Sequence, residues 1–188
     1  MEFYPAGARV PDELRTDRLL LRPLRSTDVA LDYDAVMSSA AELRRWSQTA
    51  WPADDFTLAE NLADLERHER EHLAREAFTF TVLDREATRC LGCVYIKPPP
   101  AGTGPLPDAG GFVAVVGFWV RASEIASHLD AHLLAALRQW LGADWAFDRV
   151  LFTVAEEETR QVELMGMVGL GRRASITLQD GRRCWVFE

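Results

Sequence analysis

His68-Glu69-Arg70-Glu71-His72 sets two imidazoles one helical turn apart with a glutamate beside the first, the spacing by which a helix offers a zinc ion and a general base. The intervening positions are charged, the flanking sequence is a run of Glu and Arg, and no third ligand follows at a suitable interval. The expectation is therefore a solvated helix face that binds no metal, with His72 beside an apolar stripe. Cys90 and Cys93 form a lone CxxC. Strand residues three apart point to opposite faces unless Gly92 introduces a bulge, and no second pair completes a metal site, so both read as core thiols. Gly102-Thr103-Gly104 is a turn cluster in a Pro-rich loop and a weak phosphate motif. The acidic run Glu156-Glu157-Glu158 suits a cationic amine, but reads first as a helix N-terminus whose free N–H groups its own carboxylates satisfy.

More chemistry is carried by the stretch from Gly117 to Leu141. Phe112 to Val120 is a near-continuous apolar run, the pattern of a strand covered on both faces. Leu129, Leu133, Leu137 and Trp140 then recur at three- and four-residue steps, a helix with one face against a sheet. Between them, Ser127-His128-Leu129-Asp130 has the spacing of a capping box. A strand, a tight loop and a helix N-terminus bring free N–H groups and the helix dipole together, which is the geometry of a pyrophosphate site. Close approach of backbone to phosphate favours glycine, yet the loop Arg121-Ala122-Ser123-Glu124-Ile125-Ala126-Ser127-His128 has none. Glu124 and Asp130 oppose Arg121 and, when protonated, His128. A plain strand-to-helix turn that binds nothing fits the same residues.

The elements that must position this stretch follow from the rest of the chain. At 188 residues with ordinary apolar and charged fractions, one domain is expected. A net charge of -8 without a basic run argues against nucleic acid and favours a cationic partner such as an amine. No run of membrane-spanning length and no secretory leader pattern occurs, and three cysteines make no disulfide framework, so a cytoplasmic protein is expected. Residues 1–13 read as a surface lead-in and Asp17 to Leu24 as a first strand. Helical pieces follow at Val29 to Met37 and Ser39 to Trp46, with a break at Trp51-Pro52. A longer helix starts at a Thr57/Glu60 capping box, with Leu58, Leu62, Leu65 and Leu73 as its apolar stripe. Ala77 to Asp84 and Arg89 to Lys97 read as a hairpin, and Pro98 to Gly111 as an irregular loop. Arg149 to Ala155 is a strand, Thr159 to Val168 a helix ended by Gly169, and Arg172 to Gln179 with Arg182 to Phe187 a last hairpin.

This order of elements, with Thr16-Asp17-Arg18-Leu19-Leu20-Leu21-Arg22-Pro23-Leu24, Asp28 and Gly117-Phe118-Trp119-Val120, resembles the GNAT superfamily of acyl-CoA-dependent N-acyltransferases, most closely the branch that acetylates ribosomal-protein N-termini. The resemblance implies an α/β (mixed α+β) fold. Its central sheet would be mostly antiparallel and splayed in the middle, with helices on both faces. It also implies acetyl-CoA or another acyl-CoA as co-substrate, and a small-molecule or peptide amine that attacks the thioester directly. A second copy of the chain is a further partner to be considered.

Carried over residue by residue, cofactor binding falls on Phe118, Trp119, Val120, Ala126, Ser127, His128 and Leu129, with Ala126 and His128 where the family has glycines. Val115 replaces an acidic residue, Glu158 and Gln161 fall where the family has Asn-x-x-Ser, and Met165 lies near the place of the tyrosine that protonates the leaving thiolate. No catalytic residue is assigned by this mapping. Two functions are compatible with it: an N-acyltransferase with a divergent CoA loop, and a catalytically inactive domain that binds a ligand or protein in the same cleft. Three expectations follow: Phe112 to Val120 and Arg149 to Ala155 are parallel neighbours that diverge, His68 and His72 hold no metal, and CoA thioesters bind weakly or not at all.

Overall fold

The computed structural model describes residues 2–100, 111–178 and 180–188. Eight strands form one sheet in the order β1-β2-β3-β4-β5-β6-β8-β7. They are β1 (Leu14–Arg15), β2 (Leu20–Pro23), β3 (Phe78–Leu83), β4 (Cys90–Lys97), β5 (Val113–Val120), β6 (Arg149–Ala155), β7 (Arg172–Thr177) and β8 (Arg183–Phe187). Every pairing is antiparallel except that of β5 with β6. The helices are α1 (Val29–Ser38), α2 (Ala40–Ser47), α3 (Leu58–Leu73), α4 (Leu129–Asp144) and α5 (Thr159–Met167). Residues of α4 and α5 pack into one apolar cluster with Phe80, Val116 and Phe118, while α1, α2 and Leu65 of α3 pack into another with Cys93 and Trp119. The sheet is thus covered on both faces, as the uniformly apolar β5 requires.

The one parallel pair sets the geometry of everything functional. Its register runs from Val113↔Arg149 to Val116↔Phe152 and stops there. Beyond it β5 stays bonded to β4, with Gly117↔Tyr95 through Val120↔Gly92, and β6 turns its bonds to β8, from Phe152↔Phe187 to Ala155↔Cys184. The two strands diverge toward their C-terminal ends as expected.

Three local features hold this arrangement. Leu91 is an extra residue between the pairs Val82↔Gly92 and Leu83↔Cys90, a bulge that turns Cys90 and Cys93 toward the same apolar cluster. Gly92 is required where the strands cross closely, since a Cβ there would lie 2.2 Å from the Trp119 carbonyl oxygen. Arg22 on β2 forks onto Asp28, Nη1 to Oδ2 at 2.7 Å and Nη2 to Oδ1 at 2.8 Å, and ties the sheet to the start of α1.

Several expectations are corrected. The lead-in is not all surface: Tyr4 is buried against Phe78, Trp145 and Phe147, and its hydroxyl donates to Arg9 O and accepts from Ala146 N. Asp17 to Leu24 shortens to β2, preceded by the small strand β1. The Thr57/Glu60 capping box of α3 is present, but its apolar stripe is not: Leu58, Leu62 and Leu73 are exposed, and the buried positions are Asn61, Leu65 and His68. The helix is rotated so that polar groups meet the buried Asp32 and Thr79, which need partners more than the leucines need cover. Gly102-Thr103-Gly104, residues 101–110 of the expected loop, and Gln179 lie outside the described residues.

Candidate functional site

The loop after β5 makes one 3-10 turn at Ala122–Glu124 and then reaches His128, which takes left-handed backbone angles (φ 55, ψ 35) as the N-cap of α4. This is the position where the sequence resemblance places a glycine, and a non-glycine residue there is strained. Ala126 has no positive φ, so that position needs no glycine for conformation. The expected Ser127 capping box does not form: the Ser127 hydroxyl donates backward to Glu124 O at 2.9 Å, because the left-handed step at His128 turns the chain away from the helix axis. Instead the Asp130 carboxylate accepts from Ala131 N at 2.9 Å.

Arginines crowd this loop. Arg18 donates to Ser127 O and Oγ at 3.0 and 3.1 Å. Arg160 on α5 donates to both Asp130 oxygens and to Ile125 O, and lies 3.5 Å from His128 Nδ1. Arg89 holds Glu124 and Ser123. Arg121, which the sequence places at the loop, instead pairs with Asp34 on α1 and faces away. Ala126, Ser127 and His128 are exposed whereas Leu129 is buried. The loop therefore keeps a glycine-type turn and sets two arginines and an imidazole beside the helix N-terminus. These residues fit the phosphates of a CoA thioester, in competition with Asp130.

Phe118, Trp119 and Val120 are core side chains, so any ligand contact there would come from backbone. At the divergence the Phe118 carbonyl accepts from Gln161 Nε2 of α5 at 3.0 Å. Met165 is buried in the core and offers no proton donor. Glu158, at the N-cap of α5, donates its N–H to Ala155 O, and burial pushes its carboxyl pKa up against the opposing pull of Arg45.

On the opposite face of the sheet lies a cavity of about 890 Å³, lined by both diverging strands at Val115, Gly117, Thr153 and Ala155. Its aromatic wall stacks Trp46 on Tyr95 with ring centroids 5.8 Å apart, and Trp119 Nε1 donates to the Tyr95 hydroxyl at 3.2 Å. Its charged wall comes from α3. Arg67 Nη2 donates to His68 Nε2 at 3.3 Å, which leaves the ring proton on Nδ1, 3.2 Å from both Glu71 Oε2 and Thr79 Oγ1. Burial, then Arg67 and Lys97, lower the His68 pKa to about 4, so the ring is neutral at physiological pH. Burial would raise the Glu71 carboxyl, but Arg67 and His68 together bring it below its usual value.

His68 and His72 thus face inward rather than to solvent, His72 with its ring edge-on to Phe78 and Phe80. Among the described residues no three His, Cys, Asp or Glu side chains stand together as a metal site, and no helix is long and apolar enough to cross a membrane. Sequence reasoning missed this charged wall. Its signal was the 61, 65, 68, 72 spacing, a helical stripe in which Asn61, His68 and His72 are polar and only Leu65 is apolar.

Residues 18–171 match the family model for the acetyltransferase (GNAT) domain. The chain belongs to the GNAT acetyltransferase family. Solved GNAT structures share its fold at low identity. RimJ from Mycobacterium smegmatis in complex with CoA-disulfide superposes with a TM-score of 0.73 at 17% identity, covering 98% of this chain and 88% of that one. The microcin C7 self-immunity acetyltransferase MccE in complex with acetyl-CoA and AMP gives 0.75 at 13%, covering 95% and 96%. A ribosomal-protein-S5-alanine acetyltransferase from Vibrio fischeri gives 0.71 at 13%, covering 94% and 95%. Comparison with curated protein sequences gave no match.

Proposed function

We propose that this GNAT chain is an acyl-CoA-dependent N-acyltransferase whose acceptor amine enters the α3-side cavity. The observation that supports the reading is the end of β5–β6 pairing at Val116↔Phe152, which opens the sheet between the α4 loop on one face and the cavity on the other. Arg18, Arg160 and His128, with the N-terminus of α4, are the groups that would hold the CoA phosphates. The bound thioester supplies an activated acyl carbon.

The chain's own residues supply position and proton handling. Gln161 and the Phe118 carbonyl mark the inner edge of β5, where backbone is free of β6. The aromatic wall excludes water behind the acceptor. Glu158, three residues past the divergent end of β6 at the N-cap of α5 and with its pKa raised by burial, is the carboxylate assigned to accept the ammonium proton of an incoming amine.

One observation favours a second reading, a binding domain without catalysis: Met165 stands where the resemblance places a thiolate-protonating tyrosine. The two readings separate in a transfer assay with acetyl-, succinyl- and longer acyl-CoA against small amines and N-terminal peptides, followed by release of free CoA thiol. Cys90 and Cys93 stay quiet in that assay, because both are buried and burial pushes the Cys90 pKa to about 12 and also raises Cys93, whereas the half-buried Cys184 on the cavity wall is subtracted with an amine-free blank. Amine-dependent thiol release supports the transferase. Binding without release supports the second reading.

A further inference from the structure

Of the 21 Lys and Arg residues in the chain, Lys97 is the only lysine, and it stands in the candidate acceptor cavity. Its ammonium lies over the Tyr95 ring at 5.0 Å from the centroid. Lys97 itself pairs across β4–β5 with Val115, whereas Tyr95 pairs with Gly117. The side chain therefore runs back along β4 to the level of Gly117, the first β5 residue beyond the last pair with β6. Among the described residues Lys97 makes no hydrogen bond or ion pair, although Asp64 and Glu71 line the same cavity, because Arg67 bonds both of them. The chain's one lysine amine is thus aimed at the opening of the sheet with no carboxylate of its own.

We propose that Lys97 is itself an acyl acceptor, so that the chain acylates its own cleft from an acyl-CoA thioester. The inference rests on the acyl-CoA reading above. The neutral amine adds to the thioester carbonyl, a C–N bond forms and the C–S bond breaks. The proton lost from nitrogen is matched by the one the CoA thiolate takes up, giving an amide and free CoA with no other reactant. Lys97 is exposed at the mouth of the cleft, where partial desolvation of its side chain and then Arg67 shift its pKa downward and so favour the neutral, nucleophilic amine. An amide does not hand its acyl group on. Modification would remove the cavity's unpaired cation and fill the space in front of Tyr95, closing the cleft to other amines.

A single lysine makes the test direct. The purified chain is incubated with acetyl-CoA, intact mass is followed in time, and the site is mapped by peptide sequencing, with binding measured separately by calorimetry. The expected result is one acetyl group on Lys97. It should form with saturable dependence on acetyl-CoA and at least ~10-fold faster than on the chain's α-amine or on Lys97 in urea-unfolded chain, as a templated reaction requires. Lys97→Arg should keep acetyl-CoA binding and a folded circular-dichroism spectrum but gain no acyl group. Binding with Lys97 unmodified would overturn the inference and leave the acyl-CoA reading intact. Equal labelling of Lys97 and the α-amine would also overturn it. Absence of acetyl-CoA binding would remove both.

Discussion

Arg160 Nε lies 2.5 Å from Asp130 Oδ2 and Arg160 Nη2 3.0 Å from Oδ1, a forked pair that joins the start of α5 to the first turn of α4. Asp130 is almost fully buried and also takes the Ala131 N–H. The chain's own carboxylate thus occupies the favourable anion position at this helix N-terminus, and a phosphate arriving there must compete for Arg160.

Asp130→Asn keeps the shape and removes the charge. Because Arg160 is partly exposed and screened, the loss of the pair should cost only about 1–2 kcal/mol in urea unfolding. Affinity for CoA should rise by roughly tenfold, the equivalent of about 1.4 kcal/mol. Calorimetric titration checks the second number, and an unchanged or weaker affinity would show that Asp130 does not compete.

Two buried groups make opposite contributions to acid stability. The His68 pKa is lowered to about 4, so the unfolded chain binds the proton more readily and stability falls as pH drops from about 6.5, levelling off near 4. Burial raises the Asp32 carboxyl to about 6, against the Asn61 hydrogen bond, so its contribution is full below about 4 and is lost as pH rises through 6. Between pH 4 and 6 the two offset each other. Denaturation against pH should show a steeper gain in stability toward pH 4 for His68→Gln and a steeper acid loss for Asp32→Asn. Parallel curves would contradict the assignment.

Gly92→Ala should destabilise the protein by about 3 kcal/mol, the upper end of overpacking costs, because the clash is with the Trp119 carbonyl and no rotamer relieves it. A thermal unfolding midpoint unchanged from the parent would mean that β4 and β5 separate there at little cost.

How much of this was legible depended on whether periodicity and polarity agreed. The strand Phe112 to Val120 and the α4 face at Leu133, Leu137 and Trp140 were readable because burial and pattern coincide. Asn61, His68 and the buried Asp32 were not, since a polar stripe looks like a solvated face until the partners across the gap are known. The Ser127 cap failed because one left-handed residue, His128, redirects the chain, a step marked by the glycine of the family resemblance and not by histidine itself. Arg18 and Arg160 come from sequence positions more than a hundred residues apart and meet only through the sheet and α5.

Glu158→Gln should lower turnover at pH 7 to 8 by about 10² or more, with KM for acyl-CoA little changed, if Glu158 accepts the amine proton. The matching signature is loss of the acidic limb of the kcat/KM profile. Loss of stability without that change in profile would assign Glu158 to structure alone.

The central claim is that acyl-CoA binds at the α4 loop through Arg18, Arg160 and His128, and calorimetric titration of acetyl-CoA into the wild-type chain and into Arg160→Ala tests it most directly. The account predicts saturable one-to-one binding to wild type, weakened roughly tenfold in Arg160→Ala by the loss of one charge-assisted contact. No saturable binding to wild type or to Asp130→Asn would contradict it.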